Sequence, residues 1–236
     1  MRENEPKPNE QKYLKHTGDE SLPVEITSKE KIGGGMIGDV FSVETKIIEK
    51  DIAKNRNFAV KTFRFGGDAQ NDLNKFKILK ENGLKTFTTY RLGEDEKSIL
   101  MTNGNKADSF LVSRNNSESR DYLMKNPIEK IANFEQLIIA MIKHAKLAAD
   151  KKMFLCNDAY LFSVSDTDRP DVKNVDFVIG DLDNVLVYQG EEYVLDLNYN
   201  EVKKALQSFV NQYVHKANKQ EYLDFLDTKF MDRGLF

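Results

Sequence analysis

Two stretches of this sequence carry residue types that could meet a phosphate. In "KIGGGMIGDVFSV", Lys31 to Val43, glycines stand at Gly33, Gly35 and Gly38, and Val40 follows two places on. Glycine inside a strand costs ordering entropy and cross-strand packing, so the run marks a tight turn or a place where another molecule approaches the backbone. Backbone N–H groups without side chains can reach polyphosphate oxygens. The second stretch is "NFAVKTFRF". Its Lys61 lies in an apolar strand and must face solvent or an anion, while Ala59 is small enough to admit a flat ring. Each stretch alone has a plain structural account, as a glycine hairpin and an edge-strand lysine. In succession they favour a nucleotide.

These residues need a framework, and the hydrophobic pattern supplies one. Residues 1–22 are polar, lack periodicity and read as a mobile leader. From Val24, "VEITSKEKIGGG", "GDVFSVETKII" and "NFAVKTFRF" alternate in short runs, as in an antiparallel meander whose first hairpin holds the glycines. "AQNDLNKFKILKENG" then spaces Leu73, Phe76, Ile78 and Leu79 as a helix that stops at Asn82-Gly83. "KTFTTYRLG" and "KSILMTNG" read as two more strands, which makes a five-strand sheet carrying one helix. "NGNKADSFLVSRNNSESRD" reads as a polar linker. The strongest helix signal is "PIEKIANFEQLIIAMIKHAKLAADKK": Pro127 suits a start, and Ile131, Phe134, Leu137, Ile138, Met141, Ile142 and Ala145 form an apolar stripe. "MFLCNDAYLFSVS" and "VDFVIGDLDNVLV" follow, then a short strand at "EYVLDL" and two helices from about Asn200.

The 236 residues suit one two-lobed domain or two small ones. Cys156 is the only cysteine, which excludes an internal disulfide and a cysteine cluster for zinc. His16, His144 and His215 are too scattered to read as a metal site. A net charge of −3 with mixed signs argues against a nucleic-acid partner. There is neither an apolar run long enough for a membrane span nor an apolar signal segment at the N-terminus, so a cytoplasmic protein is expected, with secretion into a host cell as the alternative for an effector; the chain is taken as a monomer.

"GGGMIGDV" followed by "FAVK", a helix, two strands and a long helix resembles the protein-kinase-like superfamily, whose small lobe has this order of parts. The resemblance implies a bilobal α+β fold: a small lobe over 23–103 with about five antiparallel strands and one helix, and a reduced, mainly helical large lobe over 104–236. It implies ATP held by Gly33, Gly35, Gly38, Val40, Ala59, Lys61 and Met101, with Val40 and Ala59 against the adenine. It further implies a metal-binding aspartate after a late strand pair. Asp181 in "VDFVIGDLDNV" supplies it, with Asp183 nearby where the family commonly has Asp-Phe-Gly, and carboxylates suit Mg2+. An ordinary Asp–Asn turn is the alternative reading of those residues.

If Cys156-Asn157-Asp158 stands where the family has His-Arg-Asp, Asp158 is the base that addresses the substrate hydroxyl, and Ser163 takes the second metal-ligand position. A slip of one residue would put Asn157 there instead and leave no base. The family also pairs its lysine with a glutamate on the following helix. Here Asn74 or Lys75 aligns, Asp72 lies a turn earlier and Glu81 ends the helix; Asp72 is taken as the partner.

The short C-terminal region lacks Ala-Pro-Glu and room for a full peptide-docking platform, as in the minimal kinases that bacteria deliver into host cells. The function implied is ATP- and magnesium-dependent phosphoryl transfer to a hydroxyl, on a protein serine or threonine. The alternatives are a pseudokinase that acts as a nucleotide-binding or scaffolding module through a protein partner, and a small-molecule kinase.

Overall fold

The computed structural model describes residues 10–15, 21–34, 37–49, 52–65, 68–92, 97–104, 109–112, 117–169, 171–187 and 194–231; of these, 10–25, 47–49, 52–56, 90–92 and 117–118 are described by backbone alone. The fold is mixed α+β. It divides into two compact units, residues 1–77 with 87–103, and residues 78–86 with 104–236. Residues 78–86, read from the sequence as part of the first lobe, thus group with the second unit.

In the first unit, β1 (Glu10–Lys15), β2 (Ser21–Gly34), β3 (Gly38–Glu49), β4 (Ile52–Phe63), β5 (Thr89–Leu92) and β6 (Ser98–Thr102) close a barrel in the order β1-β2-β3-β4-β6-β5. The expected five-strand sheet is therefore one strand short. The missing strand is β1, which lies within the stretch read as a mobile leader and pairs with both β2 and β5. Ladder bonds come from the main chain, so a polar segment such as "EQKYLK" joins a sheet without a hydrophobic signal.

Alternation along β3 and β4 sorts the two faces of the sheet. Val43, Phe58, Val60 and Leu100 form one buried cluster, with Ile26 and Phe41 against it. The opposite face of β4 carries Ala59, Lys61 and Phe63. Helix α1 (Asp68–Glu81) follows and ends at Gly83, whose φ of 76° is one that residues with a Cβ rarely adopt.

After residues 78–86, the second unit continues with β7 (Ser109–Val112) and α2 (Ser117–Lys125), where the sequence reads as a polar linker. There follow β8 (Lys130–Ile131), α3 (Phe134–Asp150), β9 (Met153–Leu155), β10 (Tyr160–Asp166), β11 (Val172–Ile179), β12 (Val185–Val187), α4 (Val194–Tyr213) and α5 (Lys219–Met231). β7, β10, β11 and β8 make a four-stranded sheet, and β9 pairs with β12.

Helix α3 buries the expected stripe from Phe134 to Ala145 and adds Ala148, but it does not start at Pro127. The backbone there is already engaged: Ile128 N–H donates to the Tyr213 carbonyl at 2.8 Å and Lys130–Ile131 pairs with β11. The expected strand at "EYVLDL" is also corrected, because Val194–Leu197 opens α4. Val194, Asn198, Tyr199 and Val202 recur at helical spacing, which a short window cannot tell from alternation. Among the described residues no helix is long and apolar enough to cross a membrane.

Candidate functional site

The first unit sets its phosphate-binding candidates on one face of three neighbouring strands. Val40 stands opposite Lys61, which stands opposite Ile99; Ser42 stands opposite Ala59, which stands opposite Met101. Directly opposed residues of antiparallel strands share a face, so Val40, Ala59, Lys61 and Met101 lie on the same surface. Ala59 and Met101 are buried and Val40 is half-buried. Lys61 is fixed by Asp72: its ammonium donates to Asp72 Oδ2 at 2.6 Å, and the two side chains are 13% and 2% exposed. Lys61 also lies 4.7 Å from the Phe63 ring centroid. Asp72 is thus the helix carboxylate that meets the strand lysine, and Asn74, Lys75 and Glu81 are not in that pair.

The glycines have separate local causes. A register shift between Lys31 and Gly33 bends β2 just before the hairpin. A Cβ on Gly38 would lie 2.2 Å from the Thr62 carbonyl oxygen, so the close approach of β4 forbids any side chain there. Gly35 lies outside the described residues. Lys31 and Asp39 form an ion pair at 2.8 Å beside the hairpin, and that bond holds the Asp39 carboxyl below its ordinary pKa.

In the second unit the acidic candidates stand on two facing 3-10 turns. The first, Asn157–Ala159, connects β9 to β10, and the second, Leu182–Asn184, connects β11 to β12 through Gly180 and Asp181. The β10–β11 ladder ends at Tyr160–Ile179 and the β9–β12 ladder resumes at Leu155–Val185, so the turns are the paired breaks between two ladders. Backbone bonds join them: Gly180 N–H donates to the Ala159 carbonyl and Cys156 N–H to the Asn184 carbonyl, each at 3.0 Å. Asp158 and Asp181 each lie two residues beyond the Tyr160–Ile179 rung. Asp158 and Asp181 are half-buried and Asp183 is exposed. Asn157 Nδ2 lies 3.4 Å from Asp158 Oδ1.

Ser163, expected as a second metal ligand, is not brought to these turns. It lies in mid-β10 opposite Asp176, three residues past Tyr160 and so about 10 Å along the strand. The physical reason is the immediate onset of β10, which leaves no loop to fold Ser163 back.

Two residues of α4 hold the first turn, and neither was singled out in the sequence. Glu201 Oε2 accepts from Asn157 N–H at 2.8 Å, and its other oxygen accepts from Lys204 Nζ at 2.6 Å. Asn198 is fully buried: its Oδ1 accepts from Leu155 N–H at 2.9 Å, and its amide donates to the carbonyls of Ala145 at 3.1 Å and Met153 at 2.9 Å. A polar residue on the apolar stripe of a helix was the available signal for Asn198; Glu201 offered none. Burial, then the charges of Glu201 and Asp158, push the Cys156 thiol up. Burial and Glu201 likewise keep the Tyr160 phenol neutral.

No protein-family model matches the chain, and a search of curated proteins finds no match.

Proposed function

We propose that this chain is a protein-kinase-like phosphotransferase of bilobal type, which uses ATP and magnesium to transfer a phosphoryl group to the hydroxyl of a protein serine or threonine. The observation that carries the reading is the Lys61–Asp72 ion pair, because a strand lysine held by a buried carboxylate of the next helix is the pairing such enzymes use to set the phosphates.

Lys61 would donate to the phosphates, with the Val40, Ala59 and Met101 surface beside it for the adenine. Asp181 offers magnesium a half-buried carboxylate whose backbone is fixed by the neighbouring turn, a donor type that suits a hard cation. Bound magnesium supplies charge neutralisation at the phosphates. Among the described residues no three acidic, histidine or cysteine side chains gather as a metal set, so phosphate and water oxygens would complete the coordination. Asp158 would accept or orient the proton of the attacking hydroxyl, and the work of the protein is placement.

Thermal melting with Mg-ATP and transfer of radiolabel from γ-labelled ATP test this reading. Wild type is expected to melt higher with Mg-ATP and to label itself or an added protein. Lys61→Met and Asp181→Asn are expected to lower transfer on the order of 100-fold or more. Absence of both stabilisation and transfer in the wild type would overturn the reading. The position of Ser163 favours a second reading, a pseudokinase that binds nucleotide without turnover, since the second metal-ligand position is not filled as expected. Stabilisation by Mg-ATP with no transfer selects it.

A further inference from the structure

We infer that Glu201 is a positioning residue for Asp158, fixing the Asn157–Ala159 turn from the α4 side, with Asn198 fixing the strand that leads into it. The inference rests on the reading of Asp158 as the residue that addresses the substrate hydroxyl. A three-residue 3-10 turn cannot satisfy its own leading N–H groups. Here the N–H groups on both sides of Asp158 have partners. Cys156 N–H goes to the second turn and Ala159 N–H goes to the Cys156 carbonyl at 2.9 Å. Asn157 N–H, immediately before Asp158, goes to the Glu201 carboxylate.

That carboxylate is held at both oxygens, since Lys204 takes the other, and its side chain is 13% exposed. Asn198 lies three residues earlier on α4 and so on the same face. The bonds of Asn198 to Leu155, Ala145 and Met153 and the Glu201 bond to Asn157 end on backbone atoms. Such bonds determine where the chain runs through the turn without using the Asp158 carboxylate as an anchor to α4.

The test uses the full chain as wild type, Glu201→Ala, Glu201→Asp and Glu201→Gln. Hydrogen exchange read by mass spectrometry over residues 153–163 reports the turn directly. In Glu201→Ala and in the shorter Glu201→Asp, exchange at Asn157 is expected to rise about tenfold or more, with protection of α3 and of the β10–β11 ladder retained. Glu201→Gln keeps an oxygen acceptor and is expected to stay within a few-fold of wild type. In the same protein, alkylation of Cys156 at pH 8 is expected to be faster, because one of the charges that raise the thiol pKa is gone. Turnover is expected to follow exchange, falling at least tenfold in Glu201→Ala with the KM for Mg-ATP unchanged, and recovering in Glu201→Gln.

Unchanged exchange at Asn157 in both Glu201→Ala and Glu201→Asp overturns the inference. So does a Glu201→Gln protein as loose as Glu201→Asp. If Glu201→Ala does not fold, the Asp and Gln variants still decide between reach and charge. If wild type neither binds Mg-ATP nor transfers phosphate, the phosphotransferase reading fails, while exchange and alkylation still judge whether Glu201 anchors the turn.

Discussion

The two units hold their candidate residues by opposite means. In the first, a strand lysine and a helix carboxylate 11 residues apart in sequence meet side chain to side chain. In the second, Asp158 and Asp181 stand on turns placed by backbone bonds to each other and to side chains of α4, with Asn157 and Glu201 44 residues apart and Leu155 and Asn198 43 apart. The first arrangement follows from chain-neighbouring elements, strand then helix. The second exists only after α3, two sheets and α4 have assembled. A local pair answers to the removal of either partner, whereas a scaffolded turn answers to residues far from it in sequence.

The local pair is most sensitive at Lys61. Lys61→Ala removes the ammonium bonded to the buried Asp72 carboxylate, and truncating one partner of a buried pair costs about 3–5 kcal/mol. Asp72→Ala should cost less, because Lys61 is the more exposed partner and its long stem can move the ammonium toward water. A Lys61→Met/Asp72→Leu double variant should recover most of the loss, since apolar residues of similar volume often replace a buried pair at little cost. Urea unfolding of the four proteins measures this. Equal losses in the double and single variants would show that the pair does not act as a unit.

Asn198→Leu probes the scaffolded side. It leaves the Leu155 N–H and the carbonyls of Ala145 and Met153 without their side-chain partner in a fully buried place, a loss on the order of 3 kcal/mol. The melting temperature should fall, and exchange should rise first in β9 and the Asn157–Ala159 turn. A uniform rise across the unit, with no priority for β9, would mean that Asn198 supports the core in general and not this strand.

The same contrast explains what could be read from the sequence. Alternation and helical spacing sufficed for β3, β4, α1 and the apolar stripe of α3, because each reports its own burial. Asp72 was reachable only through the resemblance, which implies a carboxylate partner for the strand lysine on the following helix. β1 was not legible, since its pairing is made by main-chain groups that "EQKYLK" does not advertise. Ser163 was misplaced because counting five residues from Asp158 assumes a loop, whereas β10 starts at Tyr160. Glu201 was invisible because its task, a bond to the N–H of Asn157, leaves no pattern in α4.

The glycine hairpin offers a finer contrast within the first unit. Gly38→Ala sets a Cβ 2.2 Å from a backbone carbonyl, which cannot move without shifting β4, and should cost about 1–3 kcal/mol. Gly34→Ala sets one 2.4 Å from Asp39 Oδ1, the end of a side chain that can rotate away. Melting of the two variants should therefore differ, with Gly38→Ala the lower. A reversed order would mean that the Asp39 contact, and not the β4 approach, limits the hairpin.

The smallest effect is expected at that contact. Lys31 donates to Asp39 at 2.8 Å from a largely exposed position, a kind of pair that solvent and salt weaken. The bond from Lys31 lowers the Asp39 pKa beneath its ordinary 3.8, and the charges of Lys31 and Arg64 act in the same direction. A carboxyl with a depressed folded pKa contributes stability above its unfolded value and loses it as pH falls through the folded value. The small advantage of wild type over Lys31→Ala should therefore be fully present at pH 7 and vanish as pH falls below about 4, where the two proteins converge. A carbon-detected titration of the Asp39 carboxyl should move upward in Lys31→Ala, toward the ordinary value. If the midpoint stays where it was, Arg64 and not Lys31 sets the charge of Asp39, and the hairpin is held by the close approach of β4 at Gly38 without help from the Lys31 clasp.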